Sequence, residues 1–228
     1  MIEKILIIAA HPDDEVLGCG GTIARMSREG HESHIAILGE GITSRYQERK
    51  DANPSILDTL HSQSREVAKL LGAKEVSSYG LPDNRFDTVP LLDIIKIIES
   101  LLDQFSPGII YTHHGSDLNV DHQLTHRAVL TATRPIPGQP VRTIYAFEVP
   151  SSTEWAFQSS GTVFRPNVFL DITDTLEIKL QALSLYETEM RLFPHPRSTE
   201  AIGAIARRWG SAAGYGAAEA FELIRSLQ

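Results

Sequence analysis

The sequence contains one cysteine, Cys19, among its 228 residues. A single cysteine excludes an internal disulfide bond and a metal site built from several thiolates. Basic runs are equally scarce: none is longer than the pair Arg207 and Arg208, and the formal net charge is −8. Nucleic acids and anionic membranes select basic patches, so we expect neither as the main partner.

A long hydrophobic run is missing from the N-terminus. Residues 1–10, MIEKILIIAA, have too short an apolar stretch for a membrane helix and lack the basic region of a secretory signal. We therefore expect no membrane insertion and a cytoplasmic location. The chain is 42% hydrophobic, which at this length is enough for one substantial core.

Strand-like and helix-like segments alternate through residues 1–149. The pattern predicts strands at 4–10, 34–40, 75–80, 108–114 and 141–149, and helices at 15–30, 57–72, 91–105 and about 121–129. This order is β-α repeated four times and then β, which is typical of a doubly wound sheet. We predict a Rossmann-like α/β domain whose mostly parallel, five-stranded core sheet is flanked by helices.

Residues 150–228 differ in character from the rest, and we interpret them as a C-terminal extension packed on the same single domain, 1–228. A short strand is predicted at 167–173, a helix at 175–190 and a last helix near 218–227.

The densest polar chemistry follows the first and fourth predicted strands, as HPDDE at 11–15 and HHGSDLNVDHQLTH at 113–126. Ligands of such sheets bind at the carboxyl ends of the strands, where both loops lie. A turn in His11-x-x-Asp14 would aim an imidazole and a carboxylate at one point, and both suit zinc. A histidine of the second loop would complete three ligands and leave a fourth position open, as in catalytic zinc sites. Taken separately, each cluster also fits a simpler interpretation, as a turn with a helix cap or as surface and core histidines.

With AHPDDE at 10–15 and a later Asp-His pair, the chain resembles the PIG-L/LmbE-like zinc-dependent N-acetylglucosaminyl deacetylases over roughly residues 4–147. The resemblance implies a Rossmann-like fold and one zinc ion per chain, held by His11, Asp14 and His122. It also implies Asp13 as the general base and Asp121 as a carboxylate that orients the site. Fe²⁺ or Co²⁺ would suit the same ligands, so the metal stays open.

One position departs from the family. Many members have His-Pro-Asp-His in the second motif, and the first of those histidines helps to stabilise the transition state; here Asn119 takes that place. An asparagine can donate a hydrogen bond to an oxyanion, but it cannot act as a general acid at neutral pH. The leaving amine must then take its proton from Asp13 or from His195 in FPHPRS, a residue that fits a rigid surface loop equally well.

Three further residues are candidates for substrate binding. Arg45 could anchor a phosphate or a sugar hydroxyl, Asp83 could accept sugar hydroxyls, and Trp155 could stack on a sugar face. Each also has a plainer interpretation: a solvated arginine, a turn residue and a packing residue.

The expected function is metal-assisted hydrolysis that removes the acetyl group from a small N-acetylated amino sugar, either free or as a nucleotide-sugar or glycoconjugate. Two alternatives stay open: an amidase acting on a thiol conjugate or other non-sugar amide, and a Rossmann-like sugar- or nucleotide-binding protein without catalysis. Family members often assemble, so a homo-oligomer is one expectation.

Overall fold

The computed structural model describes residues 2–157 and 161–228. Their central feature is a seven-stranded sheet of order β3-β2-β1-β4-β5-β7-β6. Its strands are β1 Lys4–Ala9, β2 Glu32–Gly39, β3 Glu75–Leu81, β4 Ile109–His113, β5 Thr143–Phe147, β6 Val168–Asp171 and β7 Ala218–Ser226. The helices are α1 Asp14–Arg28, α2 Pro54–Leu71, α3 Leu91–Phe105, α4 Val120–Ala132, α5 Leu176–Leu185 and α6 Thr199–Ala213.

Strands β1 to β5 are parallel, and the order of the sheet reverses between β1 and β4. Successive residues of β1 pack on opposite faces: Ile5 and Ile7 lie against α1 and α2, whereas Leu6 and Ile8 lie against α3 and α4. Burial of both faces explains why these strands have continuous apolar runs instead of an alternating pattern. The predicted β-α order, and with it the Rossmann-like fold, is confirmed.

The C-terminal part of the prediction needs correction. The segment near 218–227 is strand β7, not a helix, and it pairs antiparallel with both β5 and β6. Residues 199–213, for which no element was predicted, form α6, and the predicted helix at 175–190 ends at Leu185. Alanine, glutamate and leucine favour a helix locally, but the open edge of β5 outweighs that weak preference. The extension thus enlarges the core sheet from five strands to seven.

A buried ion pair fastens β7 to the first and fifth helices. Lys179 Nζ on α5 donates to Glu219 Oε1 on β7 at 2.5 Å and to the Leu17 carbonyl at 2.8 Å. The two carboxylate oxygens of Glu219 also accept from the backbone N–H groups of Gly21 and Thr22, at 3.0 and 2.7 Å. The backbone of α1 is not helical at Cys19, where φ is −148°. The Glu219 carboxylate therefore provides acceptors for backbone N–H groups that follow this break.

We expect Glu219→Ala to lower the free energy of unfolding by about 3–5 kcal/mol, because it leaves the Lys179 ammonium buried without its partner. Urea unfolding measures this loss. Glu177→Ala on α5, which removes an exposed carboxylate, is the matched control and should change stability by less than about 0.5 kcal/mol. Equal effects of the two variants would contradict a special role for the buried pair.

Among the described residues, no helix combines the length and the apolar character needed to cross a lipid bilayer.

Candidate metal centre and active site

The HPDDE segment forms the turn between β1 and α1, at the carboxyl end of the sheet. Asp13 occupies the N-cap position of α1 with φ at 100°, a left-handed conformation that is uncommon outside glycine. Its side chain makes no capping hydrogen bond. The prediction of a turn before a helix is therefore correct for the backbone, but the Asp13 carboxylate is left for another use.

The third acid of the segment, Glu15, supports this turn from behind. Its Oε2 accepts from the Asp13 backbone N–H at 3.1 Å, and its Oε1 accepts from the Tyr186 hydroxyl at 2.6 Å. Burial raises the pKa of Glu15 to about 7, although the hydrogen bond from Tyr186 opposes the shift. We interpret Glu15 as the group that holds the strained Asp13 backbone in place.

The structure brings together His11, Asp14 and His122, which the resemblance implies as zinc ligands. Asp14 Oδ2 lies 3.4 Å from His11 Nδ1 and 3.2 Å from His122 Nε2. One candidate ligand atom from each of the three residues falls within 4.8 Å of the others. The turn after β1 supplies the first two side chains and the first turn of α4 the third, so the two distant loops meet at the reversal of strand order.

A carboxylate stands behind each of the two histidines. Asp121 Oδ2 lies 3.0 Å from His11 Nε2, and Asp117 Oδ1 lies 3.2 Å from His122 Nδ1. With a cation bound between them, these contacts would place the remaining proton on the outer ring nitrogen and leave His11 Nδ1 and His122 Nε2 to bind the ion. Burial acts against protonation of both rings, but the surrounding carboxylates raise the pKa of His11 to about 10 and that of His122 to about 9.

Three atoms of the candidate ligands are buried and have no hydrogen-bond partner among the described residues: Asp14 Oδ1, His122 Nδ1 and His122 Nε2. Buried polar groups without a partner are costly, and a cation bound by Asp14 and His122 would relieve part of that cost. Asp83 and Asp121 form a second candidate group with His11, but their carboxylates already accept from the backbone N–H groups of Ser44 and Phe86. The donor atoms of the first group therefore fit a divalent cation better.

His113 adds to this cluster in a way that the sequence did not indicate. Its ring stacks on His122, with centroids 3.9 Å apart, and its Nε2 accepts from the Ala10 backbone N–H at 2.8 Å. Burial, with the neighbouring His122, holds the pKa of His113 well below its ordinary value. We interpret His113 as a neutral packing partner that fixes the plane of the His122 ring.

The Asp13 carboxylate, which does not cap α1, is paired with Arg197. The arginine's Nη1 donates to Asp13 Oδ2 at 2.9 Å, and its Nε donates to Ser151 Oγ at 2.8 Å. Burial raises the pKa of Asp13 well above its ordinary value, although the Arg197 guanidinium opposes this shift. A carboxylate that readily takes up a proton and stands next to the cluster suits a general base.

A polar cavity of about 170 Å³ opens beside the cluster. Of the predicted substrate residues, Arg45 and Asp83 line it, and Asn119 does so as well. The Asn119 side chain caps α4 by accepting from the Asp121 backbone N–H at 2.8 Å, and its Nδ2 donates to Asn84 Oδ1 at 2.9 Å. The Asn119 amide has a second N–H besides the one that Asn84 accepts.

The structure does not bring His195 and Trp155 to this cavity. The two rings pack edge to face, with centroids 5.6 Å apart, and neither residue is part of the cavity lining. The residue of the FPHPRS segment that reaches the site is Arg197, two positions after His195. Arg197 and Asp13 are 184 residues apart, so no local pattern links them. The one sequence signal for Arg197 is that it lies in the FPHPRS segment, which had already been singled out for His195.

His114, the residue after β4, forms an ion pair with Glu222 whose strength depends on pH. His114 Nδ1 lies 2.8 Å from Glu222 Oε2 on β7, and its Nε2 lies 2.9 Å from the Thr162 carbonyl. Burial disfavours protonated His114, but the contact with Glu222 raises its pKa above the ordinary 6.5. Burial likewise disfavours ionised Glu222, yet His114 lowers its pKa below 4.5.

The coupling of His114 with Glu222 is expected to stabilise the fold most between pH 4.5 and 6.5. A raised histidine pKa gives stability that is lost as the pH rises through it, and a lowered glutamate pKa gives stability that is lost as the pH falls through it. A double-mutant cycle with His114→Asn and Glu222→Gln should give about 1–2 kcal/mol at pH 5.5 and much less at alkaline pH. A coupling energy that is the same at both pH values would contradict the pairing.

A Rossmann-like fold with an open His-Asp-His cluster and a separate carboxylate beside it is typical of metal-assisted hydrolases. The chain belongs to the PIG-L family: the family model described as GlcNAc-PI de-N-acetylase matches residues 6–133. The predicted family is confirmed.

Two relatives show how far the similarity extends. The chain is 29% identical to an uncharacterized deacetylase, YaiS, of Escherichia coli strain K12, over 81% of this chain and 90% of the relative. It is 25% identical to the diacetylchitobiose deacetylase of Thermococcus kodakarensis, over 82% of this chain and 70% of the relative. These similarities favour a deacetylase over the amidase and the binding protein that the sequence left open.

A solved structure shows that the fold alone does not determine the chemistry. The 4-carboxy-2-hydroxymuconate hydratase of Pseudomonas putida KT2440 superposes with a TM-score of 0.76 at 22% identity, covering 100% of this chain and 98% of that one. The function must therefore be argued from the site.

Proposed function

We propose that this protein is a zinc-dependent deacetylase that hydrolyses the acetamide of an N-acetylglucosaminyl compound. The observation that supports this most directly is the His11, Asp14 and His122 cluster, which stands beside a polar cavity and a carboxylate, Asp13, that makes no helix cap. Membership of the PIG-L family and the diacetylchitobiose deacetylase relative support the acetyl sugar as substrate.

His11, Asp14 and His122 would hold one divalent cation, with Asp121 and Asp117 fixing the two rings. Such a cation acts as a Lewis acid toward the acetyl carbonyl and lowers the pKa of water. Zinc is our choice because two imidazoles and one carboxylate form a common catalytic zinc set.

Asp13 is the proton carrier of the proposed reaction. It accepts a proton as water attacks the acetyl carbon, and the remaining N–H of Asn119 donates to the oxyanion that forms. The carbon–nitrogen bond then breaks, Asp13 gives its proton to the leaving nitrogen, and acetate and a free amine result. His195 is not needed in this scheme, because Asp13 serves in both proton transfers.

Arg197 would keep the Asp13 carboxylate aimed at the cavity through the 2.9 Å contact. Asp83 would accept hydroxyl groups of the sugar, because it lines the cavity while its carboxylate also receives the Ser44 N–H.

A substrate screen with acetate detection tests the proposal. Zinc-loaded protein is incubated with N-acetylglucosamine, diacetylchitobiose and nucleotide or lipid conjugates of the sugar, alongside an N-acetylated thiol conjugate and an N-acetyl amino acid. We expect acetate and amine from at least one sugar compound, and loss of turnover with a chelator. Turnover of the non-sugar amides alone would favour the amidase alternative. Protein that binds no divalent ion and releases no acetate would favour the binding-protein alternative.

A further inference from the structure

Both arginines of the cavity are already paired with protein carboxylates. Arg45 Nη2 donates to Glu189 Oε2 at 2.5 Å, and its Nη1 donates to the Thr188 carbonyl at 3.3 Å. Arg197 donates to Asp13, and its Nη1 also lies 3.6 Å from Glu189 Oε2. Neither guanidinium is therefore a free cation toward a ligand.

Glu189 is the residue that joins the two arginines. It follows α5 in the C-terminal extension, and it is buried although it lies on the wall of the cavity. Among the residues that line the cavity, three carboxylates, Asp13, Asp83 and Glu189, stand against the two arginines. The two arginines of the lining therefore add no unbalanced positive charge to the cavity.

An anionic group on the substrate would meet two penalties here. Arg45 would have to leave Glu189 to reach the anion, and the buried Glu189 carboxylate would then lose its closest cationic partner while a like charge approaches it. An uncharged sugar meets neither penalty, because its hydroxyl groups can bond to carboxylates and guanidinium groups that keep their present partners. Rejection through an unfavourable charge contact is a common basis of specificity.

We infer that this cavity selects uncharged N-acetylglucosaminides over those with a phosphate or carboxylate next to the sugar, and that Glu189 sets this preference. The inference rests on the proposed deacetylase function and narrows its substrate class. It also reverses the sequence-based expectation that Arg45 could anchor a phosphate.

The experiment compares two substrates that share the sugar and differ in charge: methyl N-acetylglucosaminide and N-acetylglucosamine 1-phosphate. Acetate release by the fully zinc-loaded enzyme gives kcat/KM for each. We expect the neutral compound to be favoured by at least about tenfold, because like charges in contact oppose binding strongly. Calorimetric titration of both sugars measures the same preference in binding.

Variants then assign the preference to a residue. Glu189→Gln frees Arg45 and should shrink the ratio or reverse it in favour of the phosphate, and the double variant Glu189→Gln with Arg45→Met should lose that gain. Glu187→Gln, an exposed carboxylate two positions earlier, is the matched control and should leave the ratio unchanged.

Each result has one meaning. Wild-type enzyme that handles or binds the phosphate as well as the neutral sugar overturns the inference, and so does a ratio that Glu189→Gln leaves unchanged. Absence of acetate from every sugar compound counts instead against the deacetylase, while the two binding affinities still test the charge preference.

Discussion

Replacement of Asp13 by asparagine is expected to lower kcat by about 10²–10⁴-fold, the usual contribution of a positioned general base. Asparagine has nearly the same shape but cannot take up the proton of the attacking water. It also tolerates the left-handed backbone that this position needs, with φ at 100°, so the turn is kept. Steady-state kinetics on the best substrate of the acetate screen measure the loss, and KM should change little.

Bound metal must be measured on the same Asp13→Asn sample. The three candidate ligands are unchanged, so the metal content should equal that of the wild type. Asp103→Asn makes the same chemical change at an exposed position on α3 and should retain full turnover. If the Asp13 variant kept full turnover with its metal bound, the base would have to be another group.

Arg197→Lys is a companion test of how Asp13 is held. Lysine keeps the positive charge but cannot bond to Asp13 and Ser151 at once, as the guanidinium does at 2.9 and 2.8 Å. A positioning role predicts a lower kcat that added guanidinium restores in an Arg197→Ala variant. A purely structural role would show as a lower melting temperature without such rescue.

The core of the fold could be predicted because its signals are local. The apolar stripe of residues 91–105 gives α3 the bounds observed, Leu91–Phe105, and the buried runs that become β1, β2 and β4 differ from their predictions by one or two residues at the ends. Strand β7 could not be predicted in this way, because its identity depends on the open edge of β5 and on the partner of Glu219. Neither is visible in the local pattern.

The site residues likewise divide into those that local sequence motifs indicate and those that depend on tertiary packing. His11, Asp14 and His122 stand in two dense motifs that follow neighbouring strands, so their meeting follows from the topology. Arg197 and Glu189 come from irregular segments of the extension, and only the packing of the tertiary structure brings them to Asp13 and Arg45. The meeting of the candidate ligands could thus be predicted from the sequence, whereas the contacts of Arg197 and Glu189, which support the proposed positioning role and substrate preference, could not.

Loss of His122 is expected to remove both the metal and the activity. In the His122→Asn variant only His11 and Asp14 are left of the proposed ligands, so the metal affinity should fall further than the roughly 10–100-fold cost of removing a supporting carboxylate. Asp117→Asn leaves the three ligands in place and changes the carboxylate 3.2 Å from the His122 ring, which also accepts from the Ser152 and Thr153 hydroxyls; its metal affinity should fall within that range. Competition with a coloured zinc chelator measures both affinities.

A large loss of metal affinity in the His122 variant and a smaller loss in the Asp117 variant would distinguish a metal centre from a polar core without a metal. His126→Asn, one turn further along α4, is the matched control, since the His126 ring contacts the His113 carbonyl at 2.8 Å and not Asp14; it should bind metal as the wild type does. Activity should return when zinc is added back to stripped wild-type protein but not to the His122 variant. Equal affinities in all three variants would mean that the unpartnered atoms of Asp14 and His122 do not mark a cation site. The proposed metal-assisted hydrolysis would then be wrong.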